Sequence, residues 1–468
     1  MTRPCCARAT WPVVWVLVIV TAGCGDDGGS GPPPPIDGVE AGARLRPQAW
    51  DAGGGATMLR GWLDTQLDDV ACAFVPAVDG RYRCLPVTGS TDTTFADAAC
   101  TVPALVVDAC APTPTWALGP RRDLAGCDGE TGSPVLAIDG DHPLDVIYEG
   151  APGACSPRIV EADVRAFATT TEAAPTAFVG ADLVIGDADA AGLAPYTLVA
   201  DDGSRAAVGV WDVARGRECA DTRGELTCEP IEVARANALP LWADAACTVP
   251  AAGFAPRRLC AEPAVVIATD GTHAVGAAVP LADLHEGGGG CQPVAPGSLA
   301  WSRYYQLGAL LDQPAPALGE RLLGDGRVRA HQVTGPDGDA LGAPDGFVDD
   351  ELGEPCAPRQ FTDGFRCVIG RPGTAGVFFA DGACTDPLFI WDSPTPPVYA
   401  ISVEPATDAC HPEVAIAAHA PGTRFAPTGS VYVRSFDGTC QASTTPLPPE
   451  QVFFRVGAAV TLPVVEAR

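Results

Sequence analysis

Lysine is missing altogether. All 29 basic residues are Arg, and Asn237 is the single asparagine. Codon bias in a GC-rich genome accounts for both, yet the consequence is chemical. There is no Schiff-base lysine, no phosphate-loop lysine and no Ser–Lys dyad. Cations of any kind are scarce: 58 acidic residues face 29 basic ones, for a net charge of −29. That balance opposes nucleic acid, whose phosphates need clustered positive charge. Signatures of metal and nucleophile chemistry are missing too, with no CxxC pair, no HExxH and no GxSxG elbow. The histidines (His142, His273, His285, His331, His411, His419) are scattered without ligand spacing. Long helical runs are interrupted throughout by 53 Gly and 46 Pro. A mostly helical fold is excluded.

What is present begins with size and sulfur. The chain has 468 residues, of which 47% are hydrophobic, enough for a substantial core and two to four domains. Nineteen cysteines lie along it. Without CxxC pairs, their wide spacing suits disulfides in an oxidising compartment.

The N-terminus agrees with export. Arg3 and Arg8 precede an apolar stretch, Trp11 to Val20, too short to span a bilayer as a helix. Thr21-Ala22-Gly23-Cys24 follows and resembles a bacterial lipobox, with Thr21 where leucine is usual. By that resemblance Cys24 carries the lipid, and Gly25 in place of Asp favours the outer membrane. The alternative is a simple secretory signal with Cys24 incidental. Gly25 to Asp37 is rich in Gly and Pro and reads as a spacer. The expected organisation is a signal peptide (1–23), a lipidated Cys and tether (24–41), and three β modules (42–170, 171–316 and 317–468).

Three segments echo one another. The first holds Trp62-Leu-Asp64, Cys72, Arg83-Cys84 and Phe95-Ala-Asp97-Ala-Ala-Cys100-Thr-Val-Pro103. The second holds Trp211-Asp212, Cys219, Cys228 and Trp242-Ala-Asp244-Ala-Ala-Cys247-Thr-Val-Pro250. The third holds Phe347-Val-Asp349, Cys356, Arg366-Cys367 and Phe379-Ala-Asp381-Gly-Ala-Cys384-Thr-Asp-Pro387. First and third cysteines stand 28 apart each time (72 to 100, 219 to 247, 356 to 384). An aromatic strand then closes the second and third units, Arg303 to Leu311 and Val452 to Val460, with a degenerate version around Phe167. Short β-branched runs between Gly, Pro and Asp turns make the pattern all-β. The expected fold is three tandem disulfide-braced antiparallel modules closing into a propeller-like assembly; the alternative is β-sandwich modules in a row.

Sixteen cysteines remain after Cys5, Cys6 and Cys24 are set aside. Short-range pairing predicts Cys72–Cys84, Cys219–Cys228 and Cys356–Cys367. The later cysteines suggest Cys127–Cys155, Cys260–Cys291, Cys410–Cys440 and Cys100–Cys110, leaving Cys247 and Cys384 without local partners. Pairing within Cys84–Cys100, Cys228–Cys247 and Cys367–Cys384 competes with these.

Acidic clusters are the remaining candidates for chemistry. Asp337, Asp339, Asp345 and Asp349 have the look of a calcium loop, although Leu341 and Leu352 break the EF-hand pattern. The bland reading is a solvated turn. The recurring Asp64, Asp97, Asp212, Asp244, Asp349 and Asp381 read as turn caps, because an active site is normally asymmetric. No catalytic residue, and no cofactor beyond that possible calcium, is assigned.

Gly61-Trp-Leu-Asp-Thr65, Arg83-Cys84-Leu-Pro86 and Phe95-Ala-Asp-Ala-Ala-Cys-Thr101 make the chain similar to Cys-rich repeat lipoproteins of GC-rich Gram-negative bacteria. The resemblance implies the class and no activity. The leading expectation is a non-catalytic envelope protein, anchored to the outer membrane by lipid, facing the periplasm or the cell surface. Its β scaffold would bind a surface ligand or protein partner, and no nucleic acid. A secreted hydrolase using acidic residues is the second reading, and a calcium-dependent adhesin the third.

Overall fold

A computed structural model describes residues 34–468 except short internal stretches, the longest being 125–130, 255–261, 295–302, 405–413 and 444–451. Cys24, Cys110, Cys127, Cys260 and Cys410 lie outside the described residues. The described chain is all-β, with three 3-10 turns and no α-helix.

Three antiparallel meanders form the centre. The first runs Leu45–Asp51, Thr57–Asp64, Val70–Pro76, Tyr82–Pro86. The second runs Gly180–Ile185, Leu193–Ala200, Arg205–Asp212, Arg217–Ala220, Glu229–Pro230. The third runs Gly319–Leu323, Val328–Thr334, Gly346–Asp349, Glu354–Phe361, Gly364–Ile369. Alternating burial, the mark of a strand with one face inward, is clearest in Val328–Thr334, where every second residue is buried.

The meanders join at equivalent seams. The N–H of Cys84 donates to Val179 O (2.9 Å), that of Cys228 to Pro316 O (2.8 Å), and that of Cys367 to Pro463 O (3.0 Å). The last strand, Val464–Ala467, lies between Phe365–Arg366 of the third meander and Trp50–Asp51 of the first. It therefore supplies the first meander with the strand that Gly180–Ile185 and Gly319–Leu323 supply to the others. What closes is a hydrogen-bonded circuit of strands rather than a set of separate radial blades. An odd number of antiparallel steps cannot lie on a plain cylinder, because direction would be inverted after one lap. The seams at Arg83 and Arg366, each paired over two residues, are where the sheet can turn its corners.

Each meander is followed by a second sheet of constant strand order. In the first module it runs Trp116–Leu118, Val135–Leu144, Val164–Glu172, Ala104–Asp108. Val265–Ala268, Gly271–Ala278, Arg303–Leu310, Pro250–Phe254 is its counterpart in the second. Ala400–Glu404, Val414–Phe425, Val452–Val460, Pro387–Trp391 is the third. The expected aromatic strands are thus central strands, and Phe167, Tyr304 and Phe453 are all buried.

One boundary moves. Residues 36–41 are part of the folded body rather than tether. Ile36 is buried, Asp37 accepts from Arg321 and Gln332, and Val39–Glu40 pairs with Arg205–Ala206. Burial of Ile36, the ion pair of Asp37 and the pairing of Val39–Glu40 together hold the segment on the sheet.

Candidate functional site

The described cysteines fall into two classes. Cys72–Cys84, Cys219–Cys228 and Cys356–Cys367 clip neighbouring strands, as spacing predicts, with Cα–Cα distances of 5.2, 5.0 and 5.3 Å. The late pairs differ from expectation. Cys155 bonds Cys100, Cys291 bonds Cys247 and Cys440 bonds Cys384, with Cα–Cα distances of 6.0, 5.7 and 5.7 Å. This overturns Cys127–Cys155, Cys260–Cys291, Cys410–Cys440 and Cys100–Cys110, and the competing pairs from Cys84, Cys228 and Cys367 as well. Strand pairing is the cause. The strand carrying the late cysteine is two places from the strand carrying Phe95, Trp242 or Phe379, which brings it under the turn of the Asp-x-x-Cys motif.

That turn is built the same way three times. Asp97 accepts from the N–H of Thr101 (2.8 Å) and Val102 (2.7 Å) and from the Thr101 hydroxyl. Asp244 does so with Thr248 and Val249, and Asp381 with Thr385 and Asp386. Cys100, Cys247 and Cys384 sit at φ of 52°, 52° and 53°, in the left-handed region that favours glycine. The disulfide and the aspartate cap together hold the cysteine there. The Thr101 hydroxyl and the two N–H groups hold the Asp97 carboxyl down to about 2, Thr248 and the Val249 N–H lower Asp244, and Thr385 lowers Asp381.

The other three aspartates are buried against arginine. Arg44 Nε and Nη2 both reach Asp64 at 2.6 Å, and Arg327 repeats this on Asp349 at 2.9 and 2.7 Å. The second module has Gly192 where the others have this arginine, and Arg215 reaches Asp212 from the opposite side at 2.7 Å. All six repeated aspartates are thereby engaged in structure.

The four carboxylates of the supposed calcium loop are placed apart in role. Asp349 is buried against Arg327, and Asp345 accepts from His331 Nδ1 at 2.8 Å. Asp337 and Asp339 are exposed on a turn closed by Gly338 N–H to Gly335 O. Among the described residues no group of three or more His, Cys, Asp or Glu could hold a metal ion.

A cleft of about 360 Å³ opens at the seam between the first two meanders. Its polar lining includes Arg44, Gln66, Arg81, Arg83, Asp201 and Asp202. Arg83 spans the seam, binding Asp79 through Nε (2.8 Å) and donating to Phe178 O (2.7 Å). Arg366 makes the equivalent bond to Leu462 O across the closing seam. Arg81 pairs with Asp182 and Asp201, both more than half exposed. Asp202 binds the N–H groups of Arg44, Leu45 and Ser204 and the Ser204 hydroxyl. Burial pushes its carboxyl up, and those donors together bring it below the ordinary value.

The cleft is walled by arginines as well as by carboxylates, whereas the spacing pattern singles out carboxylates. The signal was there, since Arg83 and Arg366 each precede a recurring cysteine. His331, set aside for lack of ligand spacing, lies between Asp345 and Glu320. No helix among the described residues is long and apolar enough to cross a membrane. Comparison with known protein families, with curated proteins and with solved structures found no match.

Proposed function

We propose that this is an exported protein held to the outer membrane through a lipidated Cys24, whose cross-linked β scaffold is a non-catalytic binding or adhesion body. The observation that carries the reading is the use of the repeated polar groups. Six aspartates recur, and each caps a turn or neutralises an arginine. Among the described residues six disulfides brace the same units, in keeping with an extracytoplasmic address. With the repeated groups committed to structure, recognition falls to residues that differ between modules.

Fractionation tests the anchor. Wild-type protein is expected in the outer-membrane fraction and labelled by exogenous palmitate. Cys24→Ala is expected to lose the label and leave that fraction. Equal partitioning of the two proteins contradicts the proposal.

A further inference from the structure

The first and third meanders present the same buried pair in different company. In both, the residue two places after the aspartate donates its N–H to that aspartate: Gln66 to Asp64 (3.1 Å) and Glu351 to Asp349 (3.2 Å). In both, the arginine uses Nε and Nη2 on the aspartate. The remaining nitrogen differs. Arg327 Nη1 is taken by Glu351 Oε2 at 2.9 Å. Arg44 has Gln66 in the corresponding place, and among the described residues its Nη1 has no protein carboxylate. That seam is also where the cleft opens, with Arg44 and Gln66 both in its wall.

We infer that the seam cleft is a binding site for a small carboxylate-bearing molecule, whose carboxylate takes on Arg44 the place Glu351 takes on Arg327. The inference deepens the binding-scaffold reading and rests on it. Three points support it. A guanidinium offers a planar fork that matches a carboxylate, and the third meander shows this chain making that contact. Arg44 is held in place, with 15% of its side chain exposed, by the two bonds to Asp64 and by a third from Nη2 to Ala177 O at 2.7 Å, so its fork is pre-oriented. The cleft is open and has room beside Arg44 for more than a carboxylate, with Phe178 and Val179 also in its wall. Asp201 and Asp202 border the cleft, but Arg81 holds the first and backbone donors the second. Neither reaches Arg44 Nη1.

Gln66→Glu is the decisive variant, because it installs the carboxylate of the third meander in the first. Sodium acetate is the probe, set against sodium chloride and sodium phosphate at matched ionic strength, on the mature full-length protein. Acetate is expected to raise the wild-type Tm above the chloride value, and Gln66→Glu to lose that rise completely. Arginine guanidinium NMR on the wild type gives a second readout independent of the variant's folding: acetate should shift the Arg44 signals and leave those of Arg327 in place. Unmoved Arg44 signals overturn the inference. So does an acetate response that survives in Gln66→Glu, or a response to phosphate alone. The wider binding-scaffold reading fails on a different result, catalytic turnover by the purified protein, so the two failures are distinguishable.

Discussion

Arg44 and Asp64 form a two-pronged ion pair, with both hydrogen bonds at 2.6 Å and the carboxylate fully buried. Removing the arginine strands a charge in the interior, which typically costs about 3–5 kcal/mol. Arg44→Ala and Arg327→Ala are each expected to lower unfolding free energy by that order in urea titrations. A change below about 1 kcal/mol in both contradicts the structural role given to the recurring aspartates.

Acid should reach the Asp97 cap only below the ordinary carboxyl range. Asp97 has a folded value of about 2, below its ordinary 3.8. A lowered carboxyl contributes stability that is present above the unfolded value and is lost as pH falls through the folded one. NMR titration of the side-chain carboxyls should find Asp97 ionised well below pH 3.8, with Thr101→Val raising its midpoint. A midpoint near the ordinary value in the native protein contradicts the cap.

His331 works with the opposite sign. The bond to Asp345 raises its pKa, burial opposes this, and Glu320 adds to the rise. Its contribution to stability is therefore complete below the unfolded value of 6.5 and is lost as pH climbs through the higher folded value. His331→Gln is expected to narrow the stability difference between acidic and alkaline buffer relative to wild type. Parallel pH profiles for the two proteins exclude the contribution.

The closing strand gives a sharper contrast. Val465 is 1% exposed and its neighbour Val464 is 50% exposed. Val465→Ala should cost about 2 kcal/mol, from two lost methylenes and the space they leave, and Val464→Ala nearly nothing. Equal effects in chemical denaturation argue against the circuit being closed by this strand.

Much of this fold was legible in cysteine spacing, because a hairpin clip joins strands that are neighbours in sequence. The wide bridges were not. Cys100 and Cys155 meet only because intervening strands pair around them, and local spacing carries no record of sheet order. The second module misled in a smaller way. Trp211 stands next to Asp212 in sequence, yet Val210 is the residue opposite Cys219, as Trp62 is opposite Cys72 and Phe347 opposite Cys356. Adjacent strand residues face opposite ways, so a one-residue offset puts Trp211 against Tyr196 instead. The arginines of the seam cleft were hidden for a related reason: Arg44, Arg83 and Asp202 come together only across a module boundary.

Peptide mapping of the unreduced mature protein by mass spectrometry bears most directly on the braced architecture. Cross-linked peptides joining Cys100 to Cys155, Cys247 to Cys291 and Cys384 to Cys440 are expected, beside the three hairpin clips. Free thiols at those positions, or Cys155, Cys291 and Cys440 joined to any other cysteine, would contradict it.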